Sequence, residues 1–516
     1  MNTNAARTRY TLITGATGFI GHVLLAELLR RGHACAVLAR KSPGATLDTL
    51  ASLLADLDID TAALRSAGRL IAIEGSLPDD LPAQLPCQVA RIVHSAASTR
   101  FEPNSSGDPA RTNTAGTASL LEAAERWGVT ELHLVSTAFV CGITRGPVAE
   151  QVLRDPPEFH NAYEKSKWTA EQLAIRWSER NRSSCTIYRP SIVVGDRSTG
   201  RATRFCGLYL ALRAIDKAHR SLGETRTGRP TPPLRIEGRD EDRMNYIPVD
   251  HLARLMTDII DSPAHHGRVY NLVDAHPPTH RELLQSIEAY YGVPVAHYVE
   301  PGAAADAPAG DPTRDFQTSI RGSQPYFLAP PEFDRTNVAA AEAHFSRPWP
   351  RWDRASIARV IDYARRAGWR ARASAPAPAM TTQIDQLDAY FQHFLPEQVA
   401  RSTISEMTDL TTTLRFIIDD APNGEWTCRF EQGRLVQVRR GVNGVSEDFA
   451  YRLSAPHFWD IVSARTDPQQ AFIEGHVEVS GDIEQALKMG MILRQLNSDH
   501  PYTPQPAGEL LENADA

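Results

Sequence analysis

The first apolar run of the chain, Tyr10 to Thr14, is short and partly β-branched, and a glycine-rich stretch, Gly15-Ala16-Thr17-Gly18-Phe19-Ile20-Gly21, follows it directly. Leu24, Leu25, Leu28 and Leu29 then recur at helical spacing, so the pattern predicts strand, glycine turn and helix. Further strands are predicted at Ala34–Leu38, Leu70–Glu74, Arg91–His94 and Glu131–Ser136, and Asn113-x-x-Gly116-Thr117 opens a helix between the last two. Strands that alternate with helices of about 10–15 residues argue a doubly wound parallel α/β sheet.

The pattern changes past residue 370. Residues 371–383, opening Ala-Arg-Ala-Ser-Ala-Pro-Ala-Pro-Ala, read as an extended linker. Before it, Trp349, Trp352 and Trp369 flank a helical segment expected to close the first domain, 1–370. After it, residues 384–500 form a unit of ordinary domain size. It opens with an amphipathic helix, Ile384 to Phe394. Strand-like runs follow at Thr412–Ile418, Trp426–Phe430, Leu435–Arg439 and Asp448–Leu453, and helices close it near Ala455–Ser463 and Ile483–Leu496. This order makes the second domain α+β. Residues 501–516, with Pro504, Pro506 and several acidic residues, read as a disordered tail.

Composition narrows the function classes. A formal net charge of −7 and basic residues scattered along the chain argue against a nucleic-acid partner. Six cysteines show neither metal nor disulfide spacing, which suits a reducing cytoplasm. The polar first residues lead straight into a strand, so no signal peptide is expected. No apolar run is long enough to span a membrane.

Lysine supplies only five of the 55 basic residues, yet Tyr163-Glu-Lys-Ser-Lys167 places one four residues after a tyrosine. That spacing puts both side chains on one helix face. An ammonium beside a phenol favours the phenolate and moves it towards the working range of a general acid/base. At the N-terminus, Gly15 permits the tight turn, Gly18 a close approach to a phosphate, and Gly21 close helix–strand packing, the arrangement that offers backbone N–H groups to a pyrophosphate. Arg40, and second Lys41, stand after the second strand, where a basic residue accommodates a ribose 2′-phosphate. NADP(H) is therefore the expected cofactor, with NAD(H) the alternative. Ser95, Ala96 and Ala97, small residues at the end of the fourth strand, suit a backbone lying against a ribose.

Thr14-Gly-Ala-Thr-Gly-Phe-Ile-Gly21, His94-Ser-Ala-Ala97, Val135-Ser-Thr-Ala-Phe-Val-Cys-Gly142, Tyr163-x-x-Ser-Lys167 and Tyr188-Arg-Pro-Ser-Ile-Val-Val-Gly195 resemble the extended short-chain dehydrogenase/reductases, a Rossmann-type family. Within it they look most like the branch of fatty acyl-CoA reductases and thioester-reductase domains, over about residues 10 to 290. Asp242-Arg-Met-Asn-Tyr-Ile-Pro-Val-Asp250 resembles the segment where the family's chain returns to the core. The resemblance implies Tyr163 as proton donor and Lys167 as the residue that lowers its pKa and binds the nicotinamide ribose. It implies Thr137, or Ser136 beside it, as the carbonyl's hydrogen-bond donor, with Pro190 and Ser191 beside the nicotinamide. Thr17, Phe19 and Ile20 fall in the cofactor-binding turn. Asn113 resembles the family asparagine that helps hold a water chain, and a helix N-cap is an equally good reading. A substrate subdomain is expected mainly at 196–239 and 275–370.

The sequence departs from the family in reading Gly75-Ser76-Leu77 where Gly-Asp-Leu is usual, which changes an expected adenine contact. The first strand begins near residue 10, so no adenylation or carrier domain is expected ahead of the reductase, and an acyl substrate is expected to arrive already activated.

Trp426-x-x-x-Phe430-x-x-Gly433, Leu453-Ser-Ala-Pro-His-Phe-Trp459 and Ala471-Phe-Ile-Glu-Gly-His-Val-Glu-Val-Ser-Gly481-Asp482 resemble the sterol carrier protein-2 (SCP2) domains. These imply an apolar ligand tunnel, with Met489, Met491, Ile492 and Leu493 as one wall or cap. Three readings follow. The first is an NADPH-dependent reductase of a lipid-like acyl thioester, on CoA or a carrier protein, giving aldehyde or alcohol. The second is a dehydrogenase/reductase of a hydroxyl or ketone on a sterol, polyketide or other apolar molecule. The third is a lipid-transfer protein whose reductase domain only senses cofactor. A homodimer is an expectation from resemblance alone.

Overall fold

The computed structural model describes residues 8–502 apart from 41, 105, 145, 225–232, 305–311, 329–330, 370–385, 403–409, 420, 422–423, 442–446 and 474–475. Lys41, the linker and most of the C-terminal tail therefore lie outside the described residues. The chain divides into two compact units: Met1–Thr203 with Gly207–Trp369, and Arg370–Ala516 with Arg204–Cys206.

The first unit contains β1 (Arg9–Thr14), β2 (Ala34–Ala39), β3 (Leu70–Glu74), β4 (Gln88–His94), β5 (Glu131–Val135), β6 (Ser184–Pro190), β7 (Ile192–Val194), β8 (Leu234–Glu237), β9 (Tyr246–Pro248), β10 (Val269–Leu272) and β11 (Ala296–Val299). Seven of these make one sheet in the order β10-β6-β5-β4-β1-β2-β3, and every pair in it is parallel. The strand order reverses between β1 and β4, which opens a crevice at the carboxyl ends of those strands. Strands covered on both faces should be almost wholly apolar. Leu12, Ile13, Ala36, Val37, Val93 and Leu134 are indeed fully enclosed.

Helix α1 (Phe19–Arg30) packs Leu24, Leu25, Leu28 and Leu29 into one core cluster together with Leu252, Leu255 and Met256. Each such leucine contributes about 1.5–3 kcal/mol. Helix α2 (Gly116–Trp127) follows β4, and α3 (Ala162–Asn181) follows β5. Two short pairings lie outside the main sheet, β7 with β9 and β8 with β11. Residues 244–250 return to the interior: Met244, Tyr246, Ile247 and Val249 are buried there. The Trp349–Trp369 region closes the unit. Trp352 Nε1 donates to the Tyr246 carbonyl at 3.3 Å, and Trp369 Nε1 donates to Asp216 at 3.0 Å.

The second unit has β12 (Thr412–Ile418), β13 (Glu425–Glu431), β14 (Arg434–Arg440), β15 (Phe449–Leu453) and β16 (Val477–Gly481), in the order β14-β13-β12-β15-β16. Pairing is antiparallel except between β12 and β15. Burial alternates along β12, as expected of a sheet with one covered face. The buried face meets an aromatic core in which Phe391 stacks on Trp426 at 4.8 Å and lies 5.4 Å from Phe458.

The opening helix is present from residue 386 and is π-helical at Ala389–Phe394, and one sequence expectation needs correction here. On the C-terminal helix, Ile483–Asp499, Met489 and Leu493 face inward but Met491 is 52 % exposed. At 3.6 residues per turn, position 491 falls about 200° round the helix from 489, so the two methionines cannot line one wall.

Candidate active site

The site forms where the glycine turn meets the carboxyl ends of β4, β5 and β6. Gly15 has φ +70°, and a Cβ there would lie 2.6 Å from the Ala96 nitrogen. The first turn is therefore pressed against the backbone of Ser95 and Ala96, and only glycine allows it. Thr14 ties the same two segments together: its carbonyl accepts from the Ser95 N–H at 3.2 Å and its hydroxyl from the Ala96 N–H at 3.2 Å. A Cβ on Gly21 would fall 2.0 Å from the Gly15 carbonyl oxygen, so α1 can approach β1 only through glycine. The Gly18 N–H donates to the Gly15 carbonyl at 2.9 Å, and Gly18 itself opens α1 in an extended conformation. Thr17 is exposed at the turn, while Phe19 and Ile20 are half-buried and Ile20 packs on the core.

Beneath the turn, His94 is fully enclosed. Its Nδ1 lies 2.6 Å from the Thr14 hydroxyl and its Nε2 3.0 Å from the Thr117 hydroxyl. Burial, with Lys167 nearby, lowers its pKa to about 3, so the ring is a neutral bridge between β1 and α2. The sequence reading quoted His94 within a motif and gave it no role.

Tyr163 and Lys167 are one turn apart on α3, as their spacing requires. Asn161 caps the helix, accepting from the Glu164 N–H at 3.1 Å. Lys167 is buried and its Nζ donates to the Val135 carbonyl, the last residue of β5, at 2.8 Å. Burial pulls its pKa down to about 8, against the opposing pull of Glu171 one turn further along. Glu171 in turn holds the fully buried Arg189 in a two-pronged pair at 2.9 and 2.6 Å. The sequence reading missed this pair, although position 171 continues the four-residue spacing of 163 and 167.

Ser136 and Thr137 follow β5 directly and both are buried. Thr137 Oγ1 accepts from the Phe139 N–H at 3.3 Å, capping the short helix Ala138–Cys141 and leaving its own proton to donate. Ser136 Oγ has no partner among the described residues, and neither has Ser191 Oγ at the end of β6, next to buried Pro190. Buried hydroxyls without protein partners need an explanation, and a bound molecule supplies one.

Asn113 is not the helix N-cap that the sequence offered as one reading. It sits inside a π-helical turn, Arg111–Ala115, and caps nothing. Its side chain accepts from the Ser98 N–H at 2.7 Å and donates to the Ser98 carbonyl and to Ser166 Oγ, both at 2.8 Å. Ser166 Oγ donates onward to the Tyr163 carbonyl at 2.7 Å. Asn113 thus fastens the loop after β4 to the helix bearing Tyr163.

Arg40 is exposed just past β2 and has no ion-pair partner among the described residues. Ala97 is exposed on the loop after β4, with Ser95 and Ala96 half-buried beside the glycine turn. The changed Gly75-Ser76 position closes on itself, the Asp80 N–H donating to the Ser76 carbonyl at 2.8 Å.

Residues 13–256 match the family described as male sterility protein, an NAD-binding family, and residues 391–494 match the SCP-2 sterol transfer family. The chain carries a domain of each family. Its reductase-type domain has the architecture of the terminal R domain from the myxalamid PKS-NRPS pathway, with TM-score 0.56, 22 % identity, and coverage of 71 % of this chain and 92 % of that one. A thiolation-reductase di-domain from an archaeal non-ribosomal peptide synthetase also aligns, with TM-score 0.53, 18 % identity, and coverage of 70 % and 76 %. At such identities both show the fold alone. Among curated proteins, the aldehyde reductase lnaA of Aspergillus flavus is 29 % identical over 298 residues, 54 % of this chain and 27 % of that protein. The SCP2 domain thus stands with a reductase-type domain that spans only a part of such relatives. Among the described residues, no helix is long and apolar enough to cross a membrane.

Proposed function

We propose that this protein is an NADPH-dependent reductase of a lipid-like acyl thioester, delivered on CoA or on a separate carrier protein. The product is an aldehyde or, after a second hydride, an alcohol. The observation that carries the reading is the Tyr163/Lys167 pair on α3, with Lys167 held on the last carbonyl of β5 beside the hydroxyls of Ser136 and Thr137.

The residues fit a dinucleotide. The glycine turn is a cradle that any Cβ at 15 or 21 would fill, and the amides that begin α1 suit a pyrophosphate. Ser95, Ala96 and Ala97 would face the adenosine half, Pro190 and Ser191 the nicotinamide half. Arg40, exposed and unpaired among the described residues, suits a 2′-phosphate and so NADP(H) over NAD(H). When bound, NADPH supplies the hydride to the carbonyl carbon. Thr137, with Ser136 beside it, donates to the carbonyl oxygen as negative charge develops there. Tyr163 delivers the proton, and the Lys167 ammonium stabilises the phenolate left behind. The carbon–sulfur bond then breaks as the new hydroxyl returns its proton to the Tyr163 phenolate and the phenol passes it to the sulfur, which leaves as a free thiol.

The reductase and thiolation domains with a similar fold, and the relative named as an aldehyde reductase, suit a carrier-delivered thioester. The SCP2 domain suits an apolar substrate or product, which it would bind in the water-poor interior that such ligands need. Six free cysteines suit a reducing cytoplasm.

The test is NADPH consumption with medium- and long-chain acyl-CoAs while free thiol is followed in parallel. One NADPH consumed per thiol released for an aldehyde product, or two for an alcohol, with both abolished in Tyr163→Phe, is the expected result. NADPH consumption on an apolar ketone, with no thiol released from any acyl-CoA or carrier-bound thioester, would overturn it.

A further inference from the structure

Tyr163 is half-buried, and a cluster of rings that meets it through Phe101 comes from three separate stretches of chain. Phe101, on the loop after β4, lies 6.4 Å from the Tyr163 ring and 5.8 Å from Tyr326. Phe139, two residues past Thr137, lies 4.6 Å from Tyr326 and 6.2 Å from Phe333. Phe101, Phe139 and Phe333 are all half-buried rather than enclosed. Rings of a core would be covered completely, whereas partly covered rings beside a reactive hydroxyl line a surface that something apolar can occupy.

The far side of this wall is fixed by polar contacts. The Tyr326 hydroxyl accepts from Asn161 Nδ2 and donates to Glu164, both at 2.7 Å. Asn161 is the cap of α3, and Glu164, fully buried, also accepts from the His160 backbone N–H at 2.9 Å. The Phe101 carbonyl accepts from the Ala162 N–H at 3.0 Å. A Cβ on Gly322 would fall 2.8 Å from the Phe101 ring, so the backbone at Gly322 lies close against it. Phe333 is held by the Val148 backbone, which exchanges bonds with Glu332 and Asp334 at 2.7 and 2.9 Å. With its hydroxyl committed to the start of α3, Tyr326 presents carbon to the other rings.

We propose that Phe101, Phe139, Tyr326 and Phe333 are the specificity wall for the part of the substrate next to the reacting carbonyl, selecting a plain hydrocarbon there over one bearing a hydroxyl. Tyr326 is its positioning residue, locking the wall to the cap of the helix that carries Tyr163. The identity of the substrate as a thioester rests on the reading above; the selection itself rests on the rings. A hydroxyl pressed on such a wall loses water and finds no partner, which costs about tenfold to a hundredfold in discrimination.

The experiment compares kcat/KM for octanoyl-CoA and 3-hydroxyoctanoyl-CoA in the full chain, with NADPH affinity measured alongside as a check on folding. The wild type should favour octanoyl-CoA by about tenfold or more. Tyr326→Ala should bring the two within about threefold, mostly through KM. Tyr326→Phe, which keeps the ring and loses only the anchor, should retain the preference while kcat falls. Phe333→Leu is the second variant should Tyr326→Ala fail to fold, and it should also narrow the ratio. A wild-type ratio near one, or a ratio unchanged in every wall variant that folds, overturns the proposal. Were the enzyme to reduce 2-octanone and no thioester, the thioester reading would fall, and the same ratio taken with 4-hydroxy-2-octanone would decide the wall on its own.

Discussion

Lys167 serves two demands that move in opposite directions with pH. The folded ammonium titrates at about 8 because burial disfavours its charge, while an unfolded lysine titrates near about 10.4. Between those values the unfolded chain binds more protons, so this residue's contribution to stability rises with pH, by up to about 3 kcal/mol across the interval. The proposed chemistry needs the ammonium, which is present below about pH 8 and lost above it. Reduction should therefore decline above about pH 8, while the stability difference between wild type and Lys167→Met shifts in the wild type's favour up to about pH 10. A kcat/KM profile and urea midpoints across the same range check both signs; a falling midpoint difference would contradict them. The pair itself was legible from spacing, because four residues on a helix fix a shared face whatever surrounds it. The burial that sets the lysine's pKa was not, since Val135 and Glu171 meet it from a strand end and the next helical turn.

At the level of elements, the strand–turn–helix pattern and the parallel alternation were readable because buried strands leave apolar runs and tight turns demand glycine. Asn113 shows where that stops. From sequence it sits at a helix start, yet the backbone widens into a π turn at Arg111–Ala115 and aims the amide across to Ser98 and Ser166. Such turns recur at functional sites, but no local residue preference announces this one. Asn113→Ala would leave the half-buried Ser98 N–H and carbonyl without their partner. It should lower unfolding stability by about 2–4 kcal/mol and reduce turnover, because the Ser166 link to Tyr163 loses its support. Urea denaturation with parallel kinetics checks this; stability within about 0.5 kcal/mol of wild type would mean that water replaces the amide freely.

At the scale of the whole molecule, each unit has its own apolar core, one built around α1 and the parallel sheet and the other around Phe391, Trp426 and Phe458. Phe391→Ala should cost the second unit about 3–5 kcal/mol. The proposed reduction of a short, water-soluble thioester should stay within about twofold of wild type, since Phe391 packs in a core cluster of its own. Calorimetry paired with that assay checks the separation; a parallel loss of turnover would refute it. The sequence alone determined the two fold classes, the glycine turn, the Tyr163/Lys167 face and the candidate residues at the strand ends, because periodicity, turn geometry and motif spacing are local properties. Tertiary structure decided what those residues touch. It left the hydroxyls of Ser136 and Ser191 without partners among the described residues, joined Asn113 to Ser98 and Ser166, paired Arg189 with Glu171, and drew Phe101, Phe139, Tyr326 and Phe333 into one cluster that meets Tyr163 through Phe101. Those contacts join positions far apart in the chain, and only the packing of a finished sheet and its helices brings them within reach.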